Sequence, residues 1–464
     1  MKDDTTDALA KHLEGRHSQK FRSDGDCEKS WTRREYRRTV LGLVALLLIR
    51  ATHVAYQNAD HTTKQLAHLY YQAPAIVLAS FWLWGFNLWI WRLFKFDPHP
   101  LVVWNLTGEN MKSHLNHTQV WRIAAYGTVA YLLSLTSFLR FANAAAFAVD
   151  ENAAHFKAHL CAAGIYILPL LVLVLPTHGV YPYTRRFIRS TITRCLTAWN
   201  QPVTFGDFFL ADVLCSKAKS ISDAERSVCA IVVGPEVMFS SSRDPRFGTC
   251  GSTSWAVPFL LSLPSLVRFT QCVRQVRDGG FLTGSDLTAK SNFEKKAAIK
   301  TATQNAAKYL SVFPVIFLSH LKYSVDSEVW TSYIRPLWII SAVFNTGFSF
   351  FWDVTHDWDL RLFSQIGNSF TDSADGKQVP NDASKKYLRA RLLYGTPILY
   401  YAAISVNFLL RLSWTYKLSS HLRHNAGLVL VFTLLEISRR FLWSLGRVEK
   451  AYLASEGTGK DLPR

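Results

Sequence analysis

No cysteine pair in this sequence has the spacing of a metal or dithiol site. The seven cysteines stand at 27, 161, 195, 215, 229, 250 and 272, and none forms a CxxC. That excludes the usual zinc and redox motifs, and nothing implies a cofactor. GxSxG and HExxH are missing as well, and with them the common signatures of hydrolytic enzymes. The N terminus, MKDDTTDALAKHLEGRHSQKFRSDGDCEK, has no apolar core, so it is not a cleaved signal peptide. Membrane targeting is left to the first spanning helix. Charge is sparse, at 19% of residues, and acid is sparser than base: 34 Asp plus Glu against 52 Lys plus Arg, a net charge of +18. With no soluble basic domain to carry it, that excess does not point to nucleic acid. It suits topology signals, anionic lipid and an anionic substrate.

The chain does have long apolar blocks. Hydrophobic residues make up 49% of it and aromatics 14%, with 15 tryptophans. LGLVALLLIRATHVAY, QAPAIVLASFWLWGFNLWIWRLF, GIYILPLLVLVLP and RPLWIISAVFNTGFSFFW each approach the length that spans ~30 Å of hydrocarbon. The expectation is an all-α polytopic membrane protein with about ten transmembrane helices. They fall at 39–55, 72–93, 120–142, 159–179, 221–240, 255–270, 298–319, 330–359, 392–416 and 427–447. The segments on the N-terminal side hold 32 Lys and Arg, and those on the opposite side hold 7. That asymmetry predicts that both termini are cytosolic. The sequons at Asn105 and Asn116 then lie in a cytosolic loop and stay unmodified. Cys250 falls in a non-cytosolic loop, where pairing is open to it. Residues 180–220, with YTRRFIRSTITRCLTAW, read as an amphipathic segment along the cytosolic interface.

Thirteen basic residues fall inside the expected spans. Arg92, Arg122 and Lys300 lie near helix ends and can snorkel to the headgroups. Lys308 and Arg439 are mid-span. Around a helical wheel, Glu436, Arg439, Arg440, Trp443 and Arg447 fall within one 100° arc. Ile437, Phe441, Leu445 and Val448 take the other side. Similar polar faces recur. Asn407, Arg411 and Trp414 share one. Thr301, Asn305 and Lys308 share another, with Tyr309 beside it. Asp353 and Asp357 stand at i, i+4, and Asp212 is a further acid in an apolar segment. Each intramembrane charge costs ~2.5–3.5 kcal/mol on insertion scales, so these groups face one another or a water-filled path. Two readings follow. They are structural ion pairs that fix helix register, or they line a polar pathway for a small anion, with Arg and Lys as ligands. Trp414 and Trp443 would be apolar gates on such a path, or ordinary interhelical packing. The carboxylate pair Asp353/Asp357 is the nearest candidate for enzyme chemistry, but it lies among aromatics.

EISRRFLWSLGRVE resembles the final-helix signature of the EXS family: Arg439, Arg440, Phe441 and Trp443, then Arg447 and Glu449. FFLADVL, PSLVRFTQCVRQVRD, AAKYL and FFWDVTHDWDL resemble four further family segments in the same order. The resemblance covers roughly 200–450. It implies inorganic phosphate efflux without covalent chemistry. It implies a phosphate site of Asp212, Arg268, Lys308, Tyr309, Asp353, Arg411, Arg439 and Arg440, with Trp414 at a constriction. Asp357, Glu436 and Arg447 support the site, and Trp443 is a second gate candidate. The expected organisation is a cytosolic tail at 1–38, four helices at 39–179, an EXS domain of six helices at 180–450 and a cytosolic tail at 451–464.

The chain departs from the family at Lys450 and Ala451, after Glu449, and at Asp359, where glycine is usual. Only about 38 residues precede the first expected span, so no SPX sensor domain is expected. The short form resembles the ER-retention-defective branch. That implies a Golgi membrane, with the endoplasmic reticulum or plasma membrane as alternatives. It also implies return of lumenal phosphate, left by glycosylation, to the cytosol. The competing function is a non-transporting Golgi adaptor that recruits glycosyltransferase-sorting proteins through basic loops. A homodimer is the default assembly. Channel-like and proton-coupled transport both suit these residues, and His356 is a candidate proton carrier.

Overall fold

A computed structural model describes residues 35–36, 38–96, 116–145, 151–175, 181–234, 250, 254–280, 292–363, 387–418 and 426–457. Among them every regular element is helical. The sequon at Asn105 and both tails beyond 35 and 457 lie outside the described residues.

Six helices are long and apolar enough to cross a membrane: α1 (Arg38–Gln57), α2 (His61–Leu93), α3 (His117–Ala145), Ala153–Val174 within α4 (Glu151–Val174), α8 (Ala256–Arg277) and α11 (Ser327–Asp357). The remaining helices are α5 (Pro182–Leu196), α6 (Phe205–Cys215), α7 (Ala218–Val233), α9 (Asn292–Leu310), α10 (Val312–Leu321), α12 (Pro397–Arg411) and α13 (Ala426–Gly457). On α1, Leu43, Leu46, Leu47 and Ile49 stand exposed, and on α4 so do Leu168, Leu170 and Leu171. An apolar surface that broad belongs in hydrocarbon. The chain is a multi-pass membrane protein.

Several helix starts follow from their caps. Asp60 accepts the N–H groups of Thr62 and Thr63 at the head of α2. Asn116 and Gln119 bond each other's backbone N–H at the head of α3, and Thr204 with Asp207 does the same for α6. The Asn116 sequon is thus part of a helix cap.

The structure redraws four of the expected segments. The interfacial stretch 180–220 divides: α5 keeps an amphipathic pattern, whereas α6 carries buried Phe208, Phe209 and Asp212 into the core. Span 298–319 breaks at Ser311 between α9 and α10. Span 392–416 is helical from Pro397 to Arg411 and then tightens into a 3₁₀ segment, Leu412–Leu418. The helix α8 runs past the expected 255–270 by seven residues to Arg277.

Two cores hold the bundle together. Tyr70, Tyr71, Phe138, Leu139, Ala158 and Ala230 pack α2, α3, α4 and α7. Trp91, Phe209, Val354, Trp358, Tyr400 and Trp443 pack α2, α6, α11, α12 and α13. The helix α2 therefore serves both halves. Gly446 allows α13 to approach closely, because a Cβ there would stand 2.5 Å from the Trp358 ring. Asp359 holds a φ of 54°, a left-handed conformation that glycine adopts without strain and that Asp tolerates better than most. The family's usual glycine at this place thus has a backbone reason.

Cys229 at the end of α7 is joined to Cys250, with Cα atoms 6.0 Å apart. Two residues before it, Ser227 donates to the Leu69 carbonyl in the N-terminal half of α2 at 2.7 Å. The disulfide therefore sits at the end of the bundle where α1 turns into α2.

Candidate functional site

The last turn of α11, Asp353–Asp357, is a π-helix, an uncommon form that recurs at functional sites. Asp353 and Asp357 are both buried there. Arg411, at the C-terminal end of α12, donates to Asp353 through Nε at 2.9 Å and Nη2 at 2.6 Å. Asn407, one turn earlier, donates to the same oxygen at 3.1 Å. The stripe on α13 completes this centre. Arg439 approaches Asp353 at 3.5 Å and grips Glu436 through Nε at 2.9 Å and Nη2 at 2.5 Å.

Across the site, Arg268 of α8 donates to Asp212 of α6 at 2.9 Å and to Gln271 at 2.6 Å. The Tyr309 hydroxyl donates to the same Asp212 oxygen. Lys308 lies over the rings of Tyr309 at 4.3 Å and Trp352 at 5.2 Å. Arg440 donates to Ser216 at 2.9 Å, and Ser216 in turn donates to Glu436 at 3.0 Å. The Arg440 guanidinium also lies over the Trp443 ring at 4.4 Å. Trp443 Nε1 donates to Asp357 at 2.9 Å, and Arg447 stands 3.8 Å from that carboxylate's other oxygen.

One cluster thus gathers Arg268, Lys308, Arg411, Arg439, Arg440 and Arg447 with Asp212, Asp353, Asp357 and Glu436. Six cations face four carboxylates, an excess of two positive charges. Arg268, Arg411, Arg439 and Arg447 each have a carboxylate within 4 Å. Lys308 and Arg440 have no ion pair among the described residues. Lys308 is 7% exposed and Arg440 is half-buried. A buried charge in that state is costly unless something else compensates it.

Every residue expected to hold or support the anion lies in this cluster, whereas the ring contact of Trp414 is with Trp338. The two tryptophans differ. Trp443 is fully buried, stacks on Phe209 at 5.8 Å and gives its carbonyl to Trp358 Nε1 at 3.1 Å. Trp414 is half-buried on the 3₁₀ segment and meets Trp338 edge-on at 5.8 Å. Thr301, expected on the polar face of Lys308, is exposed and bonds its own helix.

Sequence reasoning missed three parts. Ser216 bridges Arg440 and Glu436 from the α6–α7 turn. Asn87 of α2 donates to Ser444 of α13 at 2.6 Å and ties the N-terminal helices to the stripe helix. Glu449, 0% exposed, pairs with Arg389 and accepts from Tyr400 at 2.5 Å and Leu393 N–H at 2.8 Å. Glu449 is part of the family-like signature, but its partner was missed, because an arginine in a polar connection gives no periodic signal.

A model of the EXS family matches residues 67–453. The match takes in α2 to α4, upstream of the boundary expected at 180. SPX and EXS domain-containing protein 1 of Dictyostelium discoideum is 26% identical over 424 residues, 89% of this chain and 40% of that protein. Xenotropic and polytropic retrovirus receptor 1 homolog of Xenopus laevis is 27% identical over 399 residues, 83% of this chain and 50% of its own length. Solute carrier family 53 member 1 of Homo sapiens is 25% identical over 409 residues, covering 83% and 50%. The chain spans half or less of the length of these curated relatives.

Proposed function

This chain belongs to the EXS family, and on that footing we propose that it moves inorganic phosphate across a membrane through the buried cluster between α6 and α13. The observation that carries the reading is the pair of cations without ion pairs among the described residues, buried Lys308 and half-buried Arg440. Their excess charge equals that of a phosphate dianion in magnitude and is opposite in sign. Arg440 offers a planar fork suited to phosphate, and Lys308 offers a point charge beside it. The four carboxylates keep the neighbouring arginines from holding the anion too tightly, and release is as necessary to conduction as binding. Trp414 forms the constriction. Trp443, locked by packing, positions Asp357 and gives Arg440 its face. Asp212, Arg268 and Tyr309 form one wall; Asp353, Arg411, Arg439 and Glu436 form the other, with Arg447 behind Asp357. No covalent chemistry is involved.

The topology in this reading has ten spans and both termini in the cytosol. The charge asymmetry supports it. So does the Cys229–Cys250 pair, since disulfides persist on the oxidising side of a membrane. In a Golgi membrane the protein would return phosphate freed by glycosylation to the cytosol, and so support retention of glycosyltransferases and ER-resident proteins.

Equilibrium binding of radiolabelled phosphate to the purified protein tests the site. Wild type should bind and the Lys308→Ala/Arg440→Ala double variant should not. Equal binding by both would refute it.

A further inference from the structure

A second basic site shares no residue with the cluster. Between α1 and α3 is a groove of about 470 Å³, lined in part by Leu47, Arg50, Val54, Asn58, Arg140 and Asn143. Among the described residues its charged lining consists of the two arginines. Both arginines are exposed, and neither has an ion pair among the described residues. Asn143 already donates to the Ala55 carbonyl at 3.0 Å, which closes the floor of the groove against α1.

The setting is lipidic. Arg50 and Arg140 belong to helices apolar enough to span the membrane. Arg50 stands seven residues before Gln57, about 10 Å along the axis, so its stem reaches the headgroup level. Leu47 and Leu43, one and two turns earlier on the same face, are exposed. Two guanidiniums in one groove repel each other unless an anion sits between them. A soluble anion has no use for the leucine stripe; a phospholipid has a use for both features.

We propose that this groove binds the phosphodiester of an anionic phospholipid in the leaflet at the disulfide end of the bundle. The phosphate lies between Arg50 and Arg140, and an acyl chain runs along Leu47 and Leu43. The bound lipid fastens α1, which is otherwise little buried, to α3.

The test is the melting temperature of the purified full-length protein in detergent, titrated with phosphatidic acid, phosphatidylcholine or inorganic phosphate. Phosphatidic acid should raise the wild-type Tm above phosphatidylcholine. Arg50→Gln/Arg140→Gln should raise the half-maximal phosphatidic acid concentration at least about tenfold. Any increment from inorganic phosphate should be equal in wild type and variant. The proposal is overturned if the phosphatidic acid increment survives in the variant, or if inorganic phosphate gives an increment that the variant loses. A photoactivatable phosphatidic acid on wild type needs no variant. Label mapping to peptides of α1 and α3 supports the site, and label confined to other helices overturns it.

Discussion

Asp353 and Arg411 are joined at 2.6 Å inside the helix bundle, and the same carboxylate oxygen also receives Asn407 and Arg439. One acid from α11 thus holds together cations from α12 and α13. Removing one partner of a buried pair leaves the other charge uncompensated, at about 3–5 kcal/mol. Asp353→Ala should therefore lower the melting temperature sharply. Asp353→Asn, which keeps the shape and the hydrogen bond from Asn407, should cost less stability but still reduce phosphate flux. Thermal melts of both variants, paired with flux, check this.

Trp443 separates packing from polar support. Trp443→Phe keeps a ring against Phe209 and Arg440 but removes the 2.9 Å donor to Asp357. An unsatisfied buried partner costs about 1–3 kcal/mol. The expected outcome is a folded protein with a lower melting temperature and reduced flux. Wild-type values for both would deny Trp443 its role in positioning Asp357.

Gly446 sits where α13 meets Trp358, whose Nε1 is itself bound to the Trp443 carbonyl. Gly446→Val should overpack this contact at about 1–3 kcal/mol or more. Gly347, with nothing near its absent Cβ, serves as the control: Gly347→Ala should leave stability unchanged or raise it. Melting both variants beside wild type distinguishes a tight approach from a generic helix glycine.

The polar stripe on α13 was legible from the sequence because charge in an apolar helix has one stable arrangement, a single shared face. Asp353 and Asp357 were legible for the same reason. The partners of that stripe were less so. Ser216 and Arg389 lie in connections, where periodicity carries no information. The helix α6 read as part of an interfacial segment because it follows the basic helix α5, yet its own residues are apolar on nearly every side, which is the mark of a buried helix. The break at Ser311 has a local cause that hydropathy ignores, Pro314, which has no N–H for the Leu310 carbonyl and crowds it. The tightening after Arg411 has no Pro or Gly at the junction, so hydropathy ran across it. Asp359 shows the converse: a departure from the family pattern whose φ of 54° explains why glycine is usual there.

Topology has a covalent readout. Cys229 and Cys250 should appear as one linked peptide pair in non-reducing mass spectrometry. Closing a loop of this length contributes about 3 kcal/mol in the chain-entropy description, so reduction should lower the melting temperature. Asn105 and Asn116 should remain unglycosylated. Glycan at either, or free thiols at 229 and 250 in protein isolated from its membrane, would contradict the proposed orientation.

The most direct measurement is radiolabelled phosphate flux into liposomes bearing the purified protein, with Arg440→Ala as the paired control. Arg440 lacks an ion pair among the described residues, so its removal strips positive charge from the site without orphaning a carboxylate. The expected result is flux in wild type and none in a folded, inserted Arg440→Ala. Equal flux in both would remove Arg440 from the pathway. No flux from folded wild type across several pH gradients and lipid mixtures would contradict phosphate transport and leave the cluster as interhelical ion pairing.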